Sequence, residues 1–159
     1  MNHALRFVRC GSPDLEELVR FEQEVFPHPW TREQFRLSLD QNAFHIFGFR
    51  QQDKIVAYCS FVTVMDEAEI LNIAVRTELQ QQGMGERLLR LVLNICRRLG
   101  VERVTLESRP SNTAALRLYQ KLGFATLAVR SGYYPDTGED AIVLQLDMTG
   151  ECGPVPPAA

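Results

Sequence analysis

Between residues 68 and 99 the sequence passes from a strand-like segment into an amphipathic helix through two closely spaced glycines. The segment AEILNIAVR (68–76) has the composition of a β-strand. The apolar stripe that follows it has helical spacing and consists of Leu88, Leu91, Val92, Ile95 and Leu99, with Gly100 as a stop signal. A strand that leads directly into a helix is the unit from which α/β folds are built.

Gly83 and Gly85 stand where this helix begins, although each glycine costs a helix roughly 0.5–1 kcal/mol relative to alanine. The first N–H groups of a helix lack partners within the helix, and together with the helix dipole they form an anion site. Because glycine has no Cβ atom, phosphate oxygens could approach these amides closely. A tight turn that binds no ligand is the alternative that these residues alone leave open.

Two common nucleotide-binding motifs do not fit this segment. The dinucleotide fingerprint G-x-G-x-x-G would place its third glycine at Leu88. A P-loop would place Lys and Ser or Thr after Gly85, where the chain has Glu86 and Arg87. The segment therefore predicts an anion-binding helix start of another kind.

The other segments predict one α/β domain with a mixed sheet. A first helix begins at Ser12-Pro13-Asp14 and ends at FPHPW (26–30), and a second helix follows a capping box from Thr31 to Gln34. The remaining predicted elements are strands at 43–50, 55–65, 68–76 and 101–109, a helix at 111–123, and a final strand pair across PDTG (135–138). Short connections between the first three strands favour antiparallel pairing, and the later alternation of strands and helices implies crossovers over the sheet.

Composition excludes several functional classes. The chain has 159 residues, 45% of them hydrophobic, and a net charge of -3, which argues against a nucleic-acid binder that relies on a basic surface. No apolar block suits a signal peptide or a membrane span, so we expect a cytoplasmic protein. The four cysteines (Cys10, Cys59, Cys96 and Cys152) form no CxxC pair, so no metal site is predicted. The tail GECGPVPPAA (150–159) is expected to be disordered.

Two of these motifs resemble the GNAT superfamily of acyl-CoA-dependent N-acetyltransferases. They are Q-x-x-G-x-G at 80–85 and RPSNTAALRLYQKLGF at 109–124. The resemblance implies a GNAT-like, mostly antiparallel sheet with helices on both faces, and acetyl-CoA as cosubstrate. In that family loop amides bind the CoA pyrophosphate, and the preceding strand binds the pantetheine arm. The positions that match are Ile73, Ala74, Val75, Gln81, Gln82, Gly83, Met84, Gly85, Glu86 and Asn112.

Four longer stretches resemble, within that superfamily, the bacterial ribosomal-protein-alanine N-acetyltransferases. They are FPHPWTREQF (26–35), DEAEILNIAV (66–75), LESRPSNTAALRLYQKLGF (106–124) and YYPDTGEDAIVL (133–144), and the resemblance covers about residues 5 to 148. It implies a catalytic domain at 1–149 and a protein N-terminus, from a ribosomal protein, as the partner. It also implies an acceptor pocket lined by Phe26, Pro27, Tyr133 and Tyr134, with Trp30 supporting the same loop; the alternative for these residues is a role in filling the core.

Two residues match the positions that carry the family's proton transfers. Glu107 matches the base; on the predicted strand it shares a face with Thr105, and the alternative is a solvated glutamate. Tyr119 matches the acid that protonates the leaving thiolate, because a phenol remains protonated near neutral pH; the alternative is a helix tyrosine that packs against its neighbours. Asn112 has a helix N-cap role as its alternative, and both roles are compatible.

The resemblance therefore implies an enzyme that acetylates the α-amine of an N-terminal alanine, on a small-subunit ribosomal protein, by direct attack on the thioester. An α-amine has a pKa near 8 and a lysine side chain about 10.4, so more of the α-amine is neutral and reactive. Acetylation of lysine or of a small amine remains an alternative. A non-catalytic acyl-CoA sensor is another, and it would have no need of Glu107 and Tyr119.

Overall fold

The computed structural model describes residues 3–150, which form seven strands and four α-helices. The strands are β1 (Arg6–Cys10), β2 (Phe44–Gln51), β3 (Lys54–Val64), β4 (Glu67–Val75), β5 (Arg103–Ser108), β6 (Ala125–Arg130) and β7 (Ala141–Asp147). The helices are α1 (Leu15–Val25), α2 (Arg32–Leu39), α3 (Met84–Arg98) and α4 (Thr113–Lys121). This alternation is an α/β architecture, as the sequence predicted.

All seven strands join one sheet in the order β1-β2-β3-β4-β5-β7-β6. Every neighbouring pair is antiparallel except β4 and β5, which run parallel. The parallel contact is short, since it extends only from Glu67 opposite Arg103 to Glu69 opposite Thr105. Beyond Glu69 the two strands part, and the sheet opens at its centre.

The two faces of the sheet carry separate apolar clusters, because successive side chains of a strand point to opposite faces. On one face α1 and α2 supply Leu18, Phe21 and Phe35, which belong to one cluster with Ile46 and Tyr58. On the other face α3 packs through Leu88, Leu89, Val92, Leu93 and Cys96. The helices therefore flank both faces, as predicted.

The buried face of α3 is rotated from the predicted stripe. Leu91 and Ile95 are only half-buried, and Leu99, the C-cap residue, is 49% exposed. Leu89 and Leu93, which the predicted stripe omitted, are completely buried. The sequence has apolar residues around most of this helix, so spacing alone did not identify the face that meets the sheet.

Three segments differ from the sequence-based expectations. The first described element is a strand, β1, which was not predicted, and it pairs with β2 at the edge of the sheet. The first α-helix begins at Leu15, because Ser12–Asp14 form a single 3-10 turn. The final strand pair is joined by residues 131–140 rather than by PDTG alone, so Tyr133 and Tyr134 lie in a loop.

The predicted tail (150–159) lies, apart from Gly150, outside the described residues. None of the helices between residues 3 and 150 has the length and hydropathy that a membrane span needs. The same range contains no group of three or more His, Cys, Asp or Glu residues suited to hold a metal ion.

Candidate active site

β4 has one paired edge and one open edge. Residues 72–75 pair with β3, whereas β5 meets the opposite edge only as far as Glu69. Backbone groups along the open edge can bind an extended ligand in the way that an added strand would bind. The pantetheine contact predicted for Ile73, Ala74 and Val75 requires this arrangement.

The start of α3 presents a run of free amides beside that edge. Gly83 is the N-cap residue, with a left-handed φ of 79°, and Gln81 two residues earlier also has a positive φ of 58°. Within residues 3–150, the backbone N–H groups of residues 81–86 donate no hydrogen bond of normal geometry to the protein. Such amides at the positive end of a helix dipole can bind a phosphate group.

A cavity of about 480 Å³ lies between the open edge of β4, the start of α3 and α4. It is lined by Val25, Phe26, Ile73, Val75, Gln80, Gln81, Gly83, Met84, Gly85, Glu86, Asn112, Ala114, Ala115 and Leu118. Eight of the ten predicted cofactor residues are in this set. Ala74 is not, since it points to the opposite face and is buried near α1, and neither is the exposed Gln82.

The side chain of Glu86 is bound by two basic residues. Its carboxylate accepts hydrogen bonds from Arg90 at 3.0 and 3.1 Å and from Lys121 at 2.9 Å. The Lys121 and Arg90 hydrogen bonds lower the pKa of Glu86, so the carboxylate is ionised at neutral pH. An anion in this cavity would therefore meet the backbone amide of Glu86 rather than its side chain.

Asn112 combines the two roles considered for it. Its Oδ1 accepts a hydrogen bond from the Ala115 N–H at 3.3 Å, so it caps α4 as predicted. It also lines the larger cavity, where the cap fixes the orientation of its side chain.

A second cavity, of about 290 Å³, lies where β4 and β5 part. It is lined by Trp30, Glu69, Ile70, Leu71, Glu107, Tyr133 and Tyr134. The structure thus brings together three of the residues predicted for the base and the acceptor pocket. Phe26 lines the larger cavity instead, and Pro27 lines neither.

Glu107 sits in this cavity with a cation and a phenol beside it. Its carboxylate is 3.2 Å from Nε of Arg130, whose guanidinium lies 5.6 Å from the centre of the Tyr133 ring. The charge of Glu107, and a hydrogen bond to it, raise the pKa of Tyr133. Glu107 alternates with the buried Leu106 on β5, as predicted, and so points toward the cavity.

Arg109 holds the loop that carries Tyr133 and Tyr134. Arg109 stacks on the Tyr134 ring at 3.9 Å and forms a two-pronged ion pair with Asp136, with both distances 3.0 Å. Burial is the main cause of the raised pKa of Tyr134. Asp136 also lies 3.5 Å from His28 of the segment after α1, so the two loops that border the cavity meet there.

Tyr119 lies on α4 and lines neither cavity. Its side chain is buried and its ring centre is 5.9 Å from that of Phe124. Burial raises the pKa of Tyr119 to about 12, with smaller contributions from Cys59 and Tyr134. Its hydroxyl is therefore protonated throughout the physiological range, as the role of an acid requires.

Sequence reasoning missed several residues of both cavities. Glu69 and Leu71 line the smaller cavity from β4, and Arg130 of β6 contacts Glu107 there. Glu69 and Leu71 lie within the quoted stretch DEAEILNIAV, but none of the three residues was assigned a role. Gln80 is the first residue of the quoted motif but was not assigned a role; it lines the larger cavity and donates to the Val75 carbonyl at 3.0 Å.

Comparison with known proteins identifies the family. Residues 15–124 match the family model described as the acetyltransferase (GNAT) family. The chain belongs to the GNAT acetyltransferase family. The matched range contains β4, the glycine segment, Glu107 and α4, and so includes most of the larger cavity.

This GNAT acetyltransferase is similar to named relatives over most of its length. The ribosomal protein bS18-alanine N-acetyltransferase of Escherichia coli (strain K12) is 36% identical over 138 residues, which is 86% of this chain and 93% of that protein. A Bacillus subtilis (strain 168) protein, provisionally given the same name, is 35% identical over 132 residues, or 82% and 87% of the two chains. The crystal structure of the ribosomal-protein-S18-alanine N-acetyltransferase from Escherichia coli matches with a TM-score of 0.86 and 33% identity, over 93% of this chain and 97% of that one.

These matches confirm the predicted fold and the predicted class of enzyme. The chain is an acetyltransferase with a GNAT fold, and the family uses acetyl-CoA as the acyl donor.

Proposed function

We propose that this enzyme transfers the acetyl group of acetyl-CoA to the α-amine of an N-terminal alanine on a ribosomal protein, bS18 in the first instance. The single observation that carries the proposal is the position of two cavities along β4. One adjoins the free amides of residues 81–86, and the other holds Glu107 and the tyrosine pair. The substrate is the one for which the Escherichia coli relative is named.

In the proposed reaction, acetyl-CoA lies in the larger cavity with its pyrophosphate on the α3 amides. Its pantetheine arm runs along the open edge of β4 toward the smaller cavity, and the peptide N-terminus enters that cavity from the opposite side. The two reactants then meet where β4 and β5 part, and the fixed orientation lowers the entropic cost of the reaction.

Chemistry then needs one base and one acid. Glu107, directly or through a water molecule, accepts a proton from the attacking amine as the new C–N bond forms. When the tetrahedral intermediate collapses, the C–S bond breaks and the departing CoA sulfur takes a proton from the hydroxyl of Tyr119, which lines neither cavity but interacts electrostatically with Tyr134 of the smaller one. No acyl-enzyme intermediate is formed, which agrees with the cavity linings, since none of the described residues that line either cavity is a cysteine.

The nature of the amine supports an N-terminus over a lysine side chain. The pKa difference of about 2.5 units between them corresponds to some 3.4 kcal/mol in the free energy needed to reach the neutral, nucleophilic form. A site that offers one carboxylate as its base should therefore act more readily on an N-terminus than on a lysine side chain.

A peptide panel tests the proposal. Peptides that begin with alanine, including the N-terminus of bS18, are incubated with acetyl-CoA and examined by intact-mass analysis beside copies with a blocked α-amine. We expect acetylation of the free α-amine alone. Acetylation that persists after the α-amine is blocked would favour a lysine acetyltransferase, and a protein that binds acetyl-CoA without turnover would favour a sensor.

A further inference from the structure

A buried carboxylate on α1, that of Glu22, forms hydrogen bonds at the boundary between the two cavities. Glu22 is 1% exposed, and its side chain accepts hydrogen bonds from three different elements. Its Oε1 accepts from the Trp30 backbone N–H at 3.0 Å and from the Asn72 side-chain amide at 3.2 Å, and its Oε2 accepts from the Tyr58 hydroxyl. A carboxylate has enough lone pairs for all three donors, so this buried group is well satisfied.

The same residue holds both ends of the segment FPHPW (26–30). At the first end, the main-chain carbonyl of Glu22 accepts from the Phe26 N–H at 2.9 Å. At the other end, the side chain of Glu22 accepts from the Trp30 N–H. Between them, Pro27 and Pro29 restrict the backbone, so the segment has few conformations available once both ends are fixed.

This segment separates the two cavities. Phe26 lines the larger one and Trp30 the smaller one. Asn72, the third partner, lies on β4 between Leu71 of the smaller cavity and Ile73 of the larger one. Glu22 thus joins the segment to β4 at the boundary between the two sites.

We propose that Glu22 is a positioning residue that sets the acceptor side of the active site by holding Trp30 against β4. This inference deepens the proposed function and rests on it, because the acceptor side is defined by that function. Glu22 lines neither cavity, so it acts through Trp30 and Asn72 rather than on the reacting atoms.

The two attachments of the segment predict an asymmetric effect of substitution. A change of the Glu22 side chain leaves its main-chain carbonyl, and hence the Phe26 end, in place. Only the Trp30 end loses its acceptor. Glu22→Leu should therefore raise KM for the acceptor peptide at least tenfold while KM for acetyl-CoA stays within about twofold of the wild-type value.

Glu22→Gln is the conservative variant that separates positioning from charge. Its amide oxygen can still accept from both Trp30 and Asn72, and its NH2 group can donate to the Tyr58 hydroxyl. We expect it to restore peptide KM to within about threefold of wild type. An equal loss in the Gln and Leu variants would mean that the charge, not the hydrogen bonds, matters, and would overturn the proposal.

Glu17→Leu is the matched control. Glu17 also lies on α1, and its carboxylate accepts from the Ile55 N–H at 2.5 Å and from Arg50 at 3.1 Å, remote from both proposed substrate sites. This variant should lower the melting temperature, as Glu22→Leu does, without a change in peptide KM. A similar rise in peptide KM in both variants would reduce the effect to general destabilisation.

Trp30 provides a readout that needs no substrate, because it is the one tryptophan of the sequence. Glu22→Leu should shift its emission to longer wavelength and increase quenching by acrylamide, while Glu17→Leu should leave both unchanged. If the Leu variant does not fold, Asn72→Ala removes the link to β4 at a half-buried position and should raise peptide KM about threefold or more.

Unchanged Trp30 emission in folded Glu22→Leu would overturn the inference, and so would unchanged peptide KM in folded Glu22→Leu or in Asn72→Ala. A wild-type protein that acetylates no peptide would instead count against the proposed function, since the fluorescence result stands without turnover.

Discussion

Alanine at Gly85 should stabilise the protein and weaken its cofactor binding at the same time. Gly85 is the second residue of α3 and lines the larger cavity. A Cβ atom added there would lie 3.9 Å from Cγ2 of Val75 and 4.0 Å from Cδ2 of Leu118, which are ordinary contact distances. The ligand-free protein therefore has room for the extra methyl group.

The expected gain in stability follows from helix propensity. Alanine is favoured over glycine within a helix by roughly 0.5–1 kcal/mol, and the added methyl group meets Val75 and Leu118 at ordinary contact distances. For a domain of this size, 1 kcal/mol corresponds to roughly 2–4 °C in melting temperature. Gly85→Ala should thus melt a few degrees above the wild-type protein when no ligand is present.

The cofactor should respond in the opposite direction, because the methyl group occupies space beside the free amides. We expect the Kd for acetyl-CoA to rise at least tenfold, or about 1.4 kcal/mol. At a ligand concentration of 100 times the wild-type Kd, acetyl-CoA should add about 2.7 kcal/mol to the wild-type protein but only about 1.4 kcal/mol to the variant. Thermal melts with and without acetyl-CoA, and calorimetric titration, measure both quantities.

Two other glycines serve as controls. Gly83 and Gly100 have φ values of 79° and 82°, and neither has an atom within 4 Å of an added Cβ. Alanine at either should cost about 1–2 kcal/mol from backbone strain alone. Gly83→Ala should also weaken acetyl-CoA binding, whereas Gly100→Ala, at the far end of α3, should not. Wild-type affinity in Gly85→Ala would refute a close approach of the cofactor to this backbone.

Three further predictions concern the chemistry. Tyr119→Phe should lower kcat at least tenfold with unchanged acetyl-CoA binding. Only the protonated phenol can donate, and its pKa is raised to about 12, so wild-type kcat should not fall near pH 10, the ordinary pKa of tyrosine. A decline in kcat near pH 10 that is absent from Tyr119→Phe would contradict the role of a buried acid. Glu107→Gln should lower kcat, measured by CoA release, about 100-fold across the same pH range, while the Kd for acetyl-CoA measured by calorimetry stays constant. Unchanged turnover would mean that Glu107 has a structural role only. Iodoacetamide should leave activity intact, because Cys10, Cys59 and Cys96 are buried and burial raises the pKa of each thiol. Loss of activity when any of these three cysteines is labelled would contradict direct transfer.

The sequence was most informative where local rules determine structure. The glycine pair, the capping box at Thr31 and the Asn112 cap depend on neighbours within a few residues, and each prediction agrees with the structure at the level of the backbone. The predicted cofactor residues came from the family resemblance of two motifs, and eight of those ten residues line the larger cavity.

The acceptor side was less predictable because residues distant in sequence build it. Glu69 lines this cavity from β4, and Arg130 of β6 pairs with Glu107 in the same cavity, although β4 and β6 are not neighbours in the sheet; only the complete topology brings them together. Phe26 was assigned to that cavity but lines the other, because the direction of a side chain in an irregular segment depends on tertiary contacts. The buried role of Glu22 was equally hidden, since α1 contains four glutamates and the sequence does not show which of them is buried.

Edge strand β1 was missed for a different reason. Its sequence, RFVRC, is only five residues long and has arginines at its first and fourth positions. Such short, charged strands are typical of sheet edges, where they discourage aggregation, but they carry little of the alternation by which strands are recognised.

Within residues 3–150, three residue pairs are the only strand pairing between β1–β4 and β5–β7, so the β4–β5 junction is the weakest in the sheet. Acetyl-CoA bound along the open edge of β4 would stabilise the junction between the two parts of the sheet. We therefore expect amide hydrogens of β4 and β5 to exchange more slowly when acetyl-CoA is abundant. The metabolic supply of the donor would then influence how long each copy of the enzyme survives proteolysis, as well as how fast it works.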